Sequence, residues 1–504
     1  MLEATIKSGI VNKLEKIVGS EYVSTNRTDL YIYSQDMTQA EPSWPDIVVL
    51  PKSVEEIQEI VRLANKEKVP IVPYLAGGNI GGLTIPLKGG IMLDLKRMDQ
   101  ILEVNETNMY AIVEAGVTFG MMKAYLDKHH PNVIYSYAFS PPSTGVVANA
   151  IAQGLDTLSF RYGASSAWVS GLEVVLPTGD LVKIGSCAVS DTWQALVPMP
   201  ELAGLFLGWQ GTTGVITKMA VSIWPKPKFD VALNFMVMDL EGVYKFLQAM
   251  SRTRVPDDLI ANSYALGEIS RLSFEHKRAS IYPAYIPRPD EPEMTITMDV
   301  TANTENELNA KLNIIEEVIK DELKDVRFFV PQEGSPGTME GASRRISWDG
   351  KKLHALPSDR LVAIPFQALF VLSSGGGLTW VGTYGPFSKW LETAKKNCEL
   401  EDKYNITRTL YTRIMNEGHF AAMRWMLPFD KGDPELVERI KALSLEQLDV
   451  ALENGFVPYK TPVWAVRKIE ERAGPEWREL HRKIKSALDP NNILNPGRWG
   501  APED

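Results

Sequence analysis

Three segments with little side-chain bulk lie beside predicted strands in the first half of the chain, and they constrain its fold most strongly. The first, residues 76–82, reads Ala-Gly-Gly-Asn-Ile-Gly-Gly and follows a predicted strand at 69–73. The second covers residues 140–154, and the third, residues 211–216, precedes another strand. Such loops can bring several backbone N–H groups to one point. Three of them in one domain favour an elongated ligand that is bound along its length.

Taken alone, the first loop is more often a surface turn than a phosphate-binding loop. It is not a Walker A loop, because no Gly-Lys-Ser/Thr follows, and it does not fit the dinucleotide pattern G-x-G-x-x-G. The second loop favours a phosphate-binding role over a surface turn, because it adds hydroxyl groups and small residues. Arg161-Tyr162-Gly163 follows it closely. The three loops together therefore favour a cofactor site.

The composition excludes several classes of protein. The 504 residues include 53 basic and 63 acidic side chains, which gives a net charge of −10 without a long basic block. Nucleic-acid binding is therefore not expected, because it needs clustered Lys and Arg. No segment approaches the roughly 18 apolar residues of a membrane span, and the first residues lack the apolar run of a secretory signal. Two distant cysteines, Cys187 and Cys398, predict neither a disulfide framework nor a thiolate metal site. We expect a cytoplasmic protein.

Strand-like and helix-like segments alternate along the chain. Their pattern changes near residue 227, where we place a domain boundary. Ser53 and Glu56 predict a capping box, and the strands on either side of that helix predict a β-α-β unit with a parallel strand pair. After residue 227, two β-α-β units in succession predict an antiparallel sheet with helices on one face, a ferredoxin-like arrangement. Predicted strands lie at 47–50, 69–73, 90–95, 109–117, 171–176, 181–184, 216–224, 231–238, 259–266, 294–301 and 326–330, and predicted helices at 119–129, 240–250 and 305–323.

The order of these motifs resembles that of a known flavoprotein superfamily. After the loop at 76–82 come Arg161-Tyr162-Gly163, then Gly-Leu-Glu-Val-Val-Leu-Pro-Thr-Gly at 171–179, then Gly-Thr-Thr-Gly-Val-Ile-Thr at 211–217. Near the end, residues 488–497 read Leu-Asp-Pro-Asn-Asn-Ile-Leu-Asn-Pro-Gly. Together these segments resemble the vanillyl-alcohol oxidase / p-cresol methylhydroxylase superfamily over the whole chain.

The resemblance implies an α+β protein with a two-part FAD-binding domain and a ferredoxin-like antiparallel-sheet cap domain. The FAD-binding domain would comprise residues 1–227 and the cap residues 228–445, while residues 446–504 would return to the first domain. The first loop would hold the pyrophosphate, the second would follow the ribityl chain and flavin, and the third would lie near the adenine. The implied cofactor-binding residues are Ala76, Gly77, Gly78, Asn79, Ile80, Gly81, Gly82, Ser140, Pro141, Ser143, Thr144, Gly145, Asn149, Gly154, Tyr162, Gly163, Gly214, Val215 and Ile216. We expect Gly78 and Gly214 to be points where the backbone approaches FAD.

Many members of the superfamily bind FAD covalently, often through a histidine in the first glycine loop. Here that loop carries Asn79 and contains neither His nor Cys, so a covalent link at this position is chemically excluded. A link through a cap residue stays open at His419, Tyr384 or Tyr411. We expect non-covalent FAD.

Two branches of the superfamily differ in their cap residues. The D-lactate and glycolate branch usually has two cap histidines that help to hold a divalent metal, but here Met426 stands where a partner of His419 would fall. Residues 455–461 are more similar to the aryl-alcohol and p-alkylphenol branch, where a Tyr-Arg pair beside the flavin holds a phenolate. The pair here is Tyr459-Lys460, and lysine cannot form the bidentate contact of arginine. No metal site is predicted.

Five residues are candidates for catalysis or substrate binding. Tyr459 and Lys460 suit an anionic substrate oxygen, either phenolate or carboxylate, and a solvated loop is the alternative. His419 is either a base that takes the alcohol proton or a hydrogen-bonded cap histidine. Arg413 and Arg424 lie on either side of it in the sequence, and each is either a substrate ligand or an ordinary ion-pair partner.

Three functions stay open. The first is an FAD-dependent oxidoreductase that transfers hydride from an alcohol or p-substituted phenol to the flavin. Trp380, Tyr384 and Trp425 would favour it as walls of an aromatic pocket, although core packing is the more common role of such residues. The second is a D-2-hydroxyacid dehydrogenase without the usual metal ligands, and the third is a flavin-binding subunit that only relays electrons. No iron–sulfur or haem-attachment pattern is present, so electrons would pass to oxygen or to a separate redox protein.

Overall fold

A computed structural model describes residues 4–78, 81–267, 288–329, 346–348, 353–355, 358, 360–361 and 376–500 of the chain. Asn79 and Ile80, two predicted cofactor ligands, lie outside the described residues. Helices and mainly antiparallel sheets form an N-terminal domain and a cap domain, which confirms the predicted α+β class.

The N-terminal domain contains a small sheet with parallel strands at its centre. Strands β2 (Ile47–Val49) and β3 (Ile71–Tyr74) flank helix α3 (Val54–Glu67), as predicted. They do not pair with each other, however, because β4 (Ile91–Asp94) lies between them and pairs in parallel with both. All four residues of β4 are buried, as is typical of a strand covered on both faces. The other elements of this part are β1 (Val23–Ser24), α1 (Ala4–Val18) and α2 (Arg27–Tyr33).

A second sheet of the N-terminal domain has five described strands and is antiparallel throughout. Its strands are β5 (Ile101–Asn105), β6 (Tyr110–Glu114), β8 (Val169–Val175), β9 (Leu181–Gly185) and β10 (Val215–Ser222), in the spatial order β5-β6-β10-β8-β9. Strands β8 and β9 form the predicted hairpin. The remaining elements are α4 (Phe119–His129), β7 (Val133–Ile134), α5 (Val146–Ile151), α6 (Ser159–Tyr162) and β11 (Trp224–Pro225).

The cap domain consists of two βαββαβ units that are joined edge to edge. The first unit comprises β12 (Phe229–Val237), α7 (Leu240–Thr253), β13 (Asp258–Ser263), β14 (Met294–Ala302), α8 (Glu305–Asp321) and β15 (Phe328–Phe329). The second comprises β18 (Gly376–Gly385), α9 (Trp390–Lys403), β19 (Leu410–Met415), β20 (Phe420–Asp430), α10 (Pro434–Glu453) and β21 (Val457–Pro458). Between them lies a separate strand pair, β16 (Ile346–Trp348) and β17 (Leu353–Ala355).

Both units have the ferredoxin-like arrangement, of which the sequence predicted only the first. Strand β13 of the first unit pairs with β19 of the second, so the eight described strands form one antiparallel sheet in the order β15-β12-β14-β13-β19-β20-β18-β21. This pairing places strands β19, β20 and β18 next to one another in the sheet, which matters for the site described below.

The two faces of the cap sheet have different partners. One face packs against the cap helices in a large core that includes Phe235, Phe246, Trp390, Met423 and Trp425. The opposite face meets the N-terminal domain in a smaller cluster, which we call the aromatic cluster. It contains Trp380, Tyr411, Tyr459 and Leu155, with Tyr384 packed against it.

Two predicted boundaries in this region are corrected by the structure. The predicted end of the cap at residue 445 falls inside α10, after which β21 completes the cap sheet, so we place the return to the N-terminal domain after Pro458. The predicted strand at 259–266 is shorter, because β13 ends at Ser263 and residues 264–267 are helical.

The C-terminal segment returns to the N-terminal domain through helices α11 (Val466–Ala473) and α12 (Pro475–Leu488). The backbone N–H of Ile71 donates to the carbonyl of Ile493 at 2.7 Å. The buried Lys485 ammonium donates to the Thr212 carbonyl at 2.6 Å and to the Asp489 carboxylate at 2.5 Å. A buried charge is tolerated only with such pairing, so Lys485 fastens this segment to the third glycine loop.

Two further expectations concern membranes and cysteines. Within the described ranges, no helix has the length and apolar character to cross a membrane. Cys187 and Cys398 are both buried free thiols, in agreement with the absence of a predicted disulfide framework.

We predict that Lys485→Met lowers the free energy of unfolding by about 3–5 kcal/mol, because it leaves the buried Asp489 carboxylate without its cation. Lys483→Met on the same helix is the matched control. Lys483 is exposed and its ion pair with Glu479 is long, so its loss should change stability by less than about 0.5 kcal/mol. Chemical denaturation of both variants tests this, and equal stabilities would contradict it.

Candidate active site

A cleft of about 970 Å³, partly open to solvent, runs along the glycine loops of the N-terminal domain. The loops meet there: a Cβ atom built on Gly145 would lie 3.7 Å from the Cβ atom of Ala76, and one on Gly211 would lie 3.3 Å from Cγ of Pro73. The structure therefore brings the three loops together around one cleft.

Eight predicted cofactor-binding residues line this cleft: Ala76, Gly77, Gly78, Thr144, Gly145, Asn149, Gly214 and Ile216. Lys460, predicted as a substrate ligand, lines it as well. Four other lining residues lie within the predicted second and third loops, although they were not singled out: Ala148, Ile151, Ala152 and Gly211. Sequence reasoning missed the remaining lining residues: Pro73, Leu75, Leu83, Thr84, Leu95, Phe206 and Gln210. Ala148 and Ala152 had a usable signal of their own, since two small residues four apart mark one face of a helix that something approaches closely.

The other predicted cofactor residues in the described ranges do not line the cleft. Tyr162 is 42% exposed, and its ring stacks on Trp224 at 5.2 Å. Gly163 adjoins Asn416 of the cap, and Val215 packs in the core beneath the first sheet. The remaining predicted cofactor residues that do not line the cleft are Gly81, Gly82, Ser140, Pro141, Ser143 and Gly154.

Gly81 and Gly82 contact the chain that returns from the cap. The Val463 N–H donates to the Gly81 carbonyl at 2.9 Å, and a Cβ atom on Gly82 would lie 3.0 Å from Val463 Cγ2. The buried Arg498 donates to the Gly82 carbonyl at 2.6 Å from the other side. These glycines thus make room for protein rather than for a ligand, and they hold Lys460 at the cleft.

Three glycines of the cleft differ in why they lack a side chain. Gly77 has φ = 64°, and a Cβ atom there would lie 1.7 Å from the Tyr74 hydroxyl. A Cβ atom on Gly214 would lie 2.5 Å from Val174 Cγ1, so Gly214 is required by packing, and not only by approach of a ligand as expected. A Cβ atom on Gly78 meets no atom of the described residues within 4 Å, and Gly78 itself lines the cleft.

At one end of the cleft, Lys460 is the meeting point of the two domains. Its ammonium donates to Oδ1 of Asn149 at 3.0 Å, and its backbone is in the left-handed region at φ = 47°. Burial and the nearby Arg424 cation lower the pKa of Lys460 to about 8, although Asp156 opposes this shift.

Arg424 lies within the aromatic cluster on β20. Its Nε donates to the Tyr459 hydroxyl, and its guanidinium carbon lies 4.9 Å from the ring centre of Trp380 and 5.1 Å from that of Tyr411. Gly382, opposite Arg424 on β18, leaves the space that the Tyr459 and Trp380 rings occupy, because a Cβ atom there would lie 3.0 Å from Tyr459. The cluster therefore surrounds a buried cation with aromatic rings.

The Tyr459 ring also stacks on Tyr384 at a centroid distance of 4.3 Å. Burial raises the pKa of Tyr459 to about 12, although Arg424 lowers it in part. Tyr459 therefore keeps its phenolic proton at neutral pH and can act as a hydrogen-bond donor. The Tyr411 hydroxyl and Trp380 Nε1 are buried without a hydrogen-bond partner among the described residues.

Three sequence-based candidates lie elsewhere. Arg413 is fully buried and donates to the Asp258 carboxylate at 2.9 Å and to the Asp156 carbonyl at 2.7 Å, so it is a structural cation between the domains. His419 is exposed in the turn between β19 and β20, five residues before Arg424, which is roughly 16 Å along an extended strand. Trp425 points into the core on the helix side of the cap sheet. The structure therefore does not bring these three to the cleft.

Comparisons with known proteins agree with this geometry. The family model described as FAD binding domain matches residues 45–185, and the one described as FAD linked oxidases, C-terminal domain, matches residues 271–499. The 4-cresol dehydrogenase [hydroxylating] flavoprotein subunit of Pseudomonas putida is 26% identical, with 97% of this chain and 95% of that protein covered. The chain belongs to the p-cresol methylhydroxylase-type superfamily of FAD-linked oxidases.

Other members of the superfamily are similar over the same length. A glycolate oxidase subunit of Bacillus subtilis (strain 168) is also 26% identical, with 98% of this chain and 97% of that protein covered. A crystal structure of p-cresol methylhydroxylase with substrate bound has a TM-score of 0.85 at 23% identity, covering 99% of this chain and 98% of that one. This structural likeness confirms the fold with its cap domain.

FAD is the cofactor that superfamily membership gives this chain, and the cleft fits it. The cleft is lined by glycines of all three loops and includes the Thr144 hydroxyl, which has no hydrogen-bond partner among the described residues. Such a group suits the many acceptors of a dinucleotide. The cleft residues of the three loops would hold FAD, and Lys460 would lie beside it.

We predict that Gly78→Val abolishes FAD binding while leaving the fold intact, because a Cβ atom there meets no atom of the described residues within 4 Å and the new side chain would intrude on the cleft. Gly204→Val is the control, since a Cβ atom there also meets nothing within 4 Å but lies away from the cleft. FAD content and circular dichroism of the purified variants measure the effect. Full FAD content in the Gly78 variant would show that FAD does not approach this loop.

Proposed function

We propose that the chain transfers hydride from a small anionic aromatic substrate, an alcohol or a p-substituted phenol, to its FAD. The observation that carries this proposal is the pair of cations Lys460 and Arg424 beside Tyr459. Among the described residues, no carboxylate lies within 4 Å of either cation. A substrate anion would supply the missing negative charge.

Burial strengthens the repulsion between the two cations. Arg424 is 6% exposed, and it lowers the pKa of Lys460 because the two positive charges repel each other. Like charges cost most where water is excluded, since the effective dielectric constant is low there. An anionic oxygen between the two cations turns this repulsion into two attractions. The site is therefore better suited to a phenolate or carboxylate than to a neutral alcohol.

The walls of the site favour an aromatic substrate. Tyr384 and Tyr459 present stacked rings, and Trp380 and Tyr411 face Arg424 from neighbouring strands. Rings of this kind pack well against a planar substrate. The unpartnered Tyr411 hydroxyl and Trp380 Nε1 are donors that a substrate oxygen could satisfy.

Bound FAD would supply the hydride acceptor, and the protein would supply position and charge. Lys460 and Arg424 would hold the anionic oxygen, and the neutral Tyr459 hydroxyl would donate a hydrogen bond to it. Stabilising charge that develops on the substrate is worth most in a site closed to water, as the burial of this cluster provides. Electrons would then leave to oxygen or to a separate redox protein.

A 2-hydroxy acid is the second candidate, because the glycolate oxidase subunit matches as well as the 4-cresol dehydrogenase subunit does. Its carboxylate would also satisfy the two cations. The part of the chain that the structure describes contains no group of three or more His, Cys, Asp or Glu that could hold a metal ion. We favour the aromatic substrate over the 2-hydroxy acid because aromatic rings line the site.

Anaerobic reduction of the flavin separates the candidates. We expect 4-hydroxybenzyl alcohol or a 4-alkylphenol to bleach the flavin absorbance, and D-lactate and glycolate to leave it unchanged. Bleaching by the hydroxy acids alone would support the second candidate. Reduction only by a partner protein would indicate an electron-relay subunit.

We predict that Lys460→Met slows flavin reduction by the substrate roughly 30- to 1000-fold, which corresponds to about 2–4 kcal/mol, while FAD binding changes much less. Lys460→Arg should be the milder change because it keeps the charge. Lys403→Met, at an exposed cap lysine, is the control and should have the wild-type rate. Stopped-flow spectroscopy measures these rates, and a wild-type rate for Lys460→Met would remove Lys460 from the site.

We also predict that acid denaturation releases FAD from the purified yellow protein. The first loop contains no His or Cys, and His419 is exposed in a turn away from the cleft. Flavin absorbance in the supernatant after precipitation measures the release. Flavin that stays with the denatured chain would point to a covalent link at a cap tyrosine.

A further inference from the structure

Asn149 links Lys460 to a buried carboxylate. Its Oδ1 accepts from the Lys460 ammonium at 3.0 Å, while its Nδ2 lies 3.0 Å from both carboxylate oxygens of Asp156. Asn149 is 2% exposed and Asp156 is fully buried. The amide therefore stands between a cation and an anion that do not form an ion pair within 4 Å.

We propose that Asp156, acting through the Asn149 amide, is the counter-ion that keeps Lys460 protonated and aimed into the cleft. Asp156 and Asn149 are thereby positioning residues for Lys460, because of these three residues only Lys460 would contact the substrate. The inference rests on the role of Lys460 in the proposed function.

The intervening amide leaves Lys460 available to a substrate. An ammonium has three N–H donors, and Asn149 takes one of them. A carboxylate in direct contact would instead compete with the substrate anion for the same charge. Asp156 is near enough to stabilise the positive charge without occupying its free donors.

The direction of the amide is fixed by its surroundings. Its Nδ2 also donates to the Ser165 hydroxyl at 3.2 Å, and that hydroxyl lies 3.0 Å from the Gly154 carbonyl, to which it can donate. A flipped amide would point its oxygen at the Asp156 carboxylate and its N–H groups at the Lys460 ammonium. Both contacts would be repulsive, since they pair acceptor with acceptor and donor with donor.

Gly154 completes the arrangement. A Cβ atom at this position would lie 1.9 Å from Oδ1 of Asn149, so any side chain would displace the amide. This gives a reason for the glycine that differs from the cofactor contact implied by the family resemblance. The network requires space at residue 154 rather than contact with FAD.

The charges around the network set the pH range in which it works. Burial raises the pKa of Asp156 to about 7, against the lowering effect of Lys460, Arg413 and Arg424. Burial and Arg424 lower the pKa of Lys460 to about 8, and Asp156 raises it. The nearby phenols of Tyr135, Tyr384 and Tyr459 all have raised pKa values and stay neutral. Asp156 is thus ionised above about pH 7, and Lys460 is protonated below about pH 8.

The sign of the expected effect follows from the loss of the anion. Asp156→Asn keeps the shape of the side chain and removes its charge, so Lys460 should lose its proton at a lower pH than in the wild type. A shift of one to three pH units is usual for a nearby opposite charge, and we expect about one unit because the amide separates the two groups. Asn149→Leu should act in the same direction.

Modification of Lys460 by cyanate tests this without a substrate, because only the neutral amine reacts with isocyanic acid. Carbamylation of Lys460 in the FAD-loaded protein is followed by peptide mass spectrometry between pH 6 and 10, and each rate is divided by the isocyanic acid concentration at that pH, because this concentration falls as the pH rises. We expect the half-maximal rate near pH 8 in the wild type, about one unit lower in Asp156→Asn, and unchanged in Asp46→Asn, which removes a distant buried carboxylate. Identical profiles for wild type and Asp156→Asn would overturn the proposal.

A double-mutant cycle provides the second measurement. Asp156→Asn should slow flavin reduction at pH 8 about fivefold in the wild-type background, the loss of protonated Lys460 expected from a pKa lower by about one unit, and cause no further loss in Lys460→Met. An equal loss in both backgrounds would show that Asp156 acts independently of Lys460 and would overturn the inference. Failure of every anionic substrate to reduce the wild type would instead count against the proposed function, and the cyanate profiles would still decide the inference.

Discussion

The position of the cap over the N-terminal domain depends on the buried guanidinium of Arg413. On one side it is bound by the Asp258 carboxylate of the cap, and on the other by the Asp156 carbonyl of the N-terminal domain. A buried charge is costly unless it is fully paired, so a shift between the domains would break one of these contacts. The same residue, Asp156, faces Asn149 with its side chain. The contact that joins the domains therefore also fixes the network that ends at Lys460.

Much of the fold was predictable because its signals are local. The Ser53 hydroxyl caps α3 as predicted, accepting from Glu56 N at 3.3 Å, and the 171–184 hairpin follows from its turn residues. The insertion of β4 between β2 and β3 was not predictable, since buried parallel strands carry no alternating pattern that states their order. The second cap unit was missed for a similar reason, because nearly every residue of β18 and β20 is buried.

The site was predictable only in part. The glycine loops and the Tyr459-Lys460 pair are continuous motifs, and eight of the predicted cofactor-binding residues do line the cleft. The roles of Arg413 and Arg424 depend on which side of a strand each lies and on partners far away in the sequence. Arg413 has carboxylate and carbonyl partners, whereas Arg424 has a tyrosine hydroxyl and aromatic rings. No spacing within the sequence distinguishes these two surroundings.

The two units of the cap contribute unequally to the candidate substrate site. The second unit, with β21 and the residue that follows it, supplies Trp380, Tyr384, Tyr411, Arg424 and Tyr459, whereas β12, β14 and β15 of the first unit contribute no member of the aromatic cluster. Three neighbouring strands thus carry the groups that would recognise a substrate, and the cofactor cleft is built from a different part of the chain. Substitutions on the side of those strands that faces the N-terminal domain could alter substrate preference in small steps during evolution while the redox machinery stayed the same.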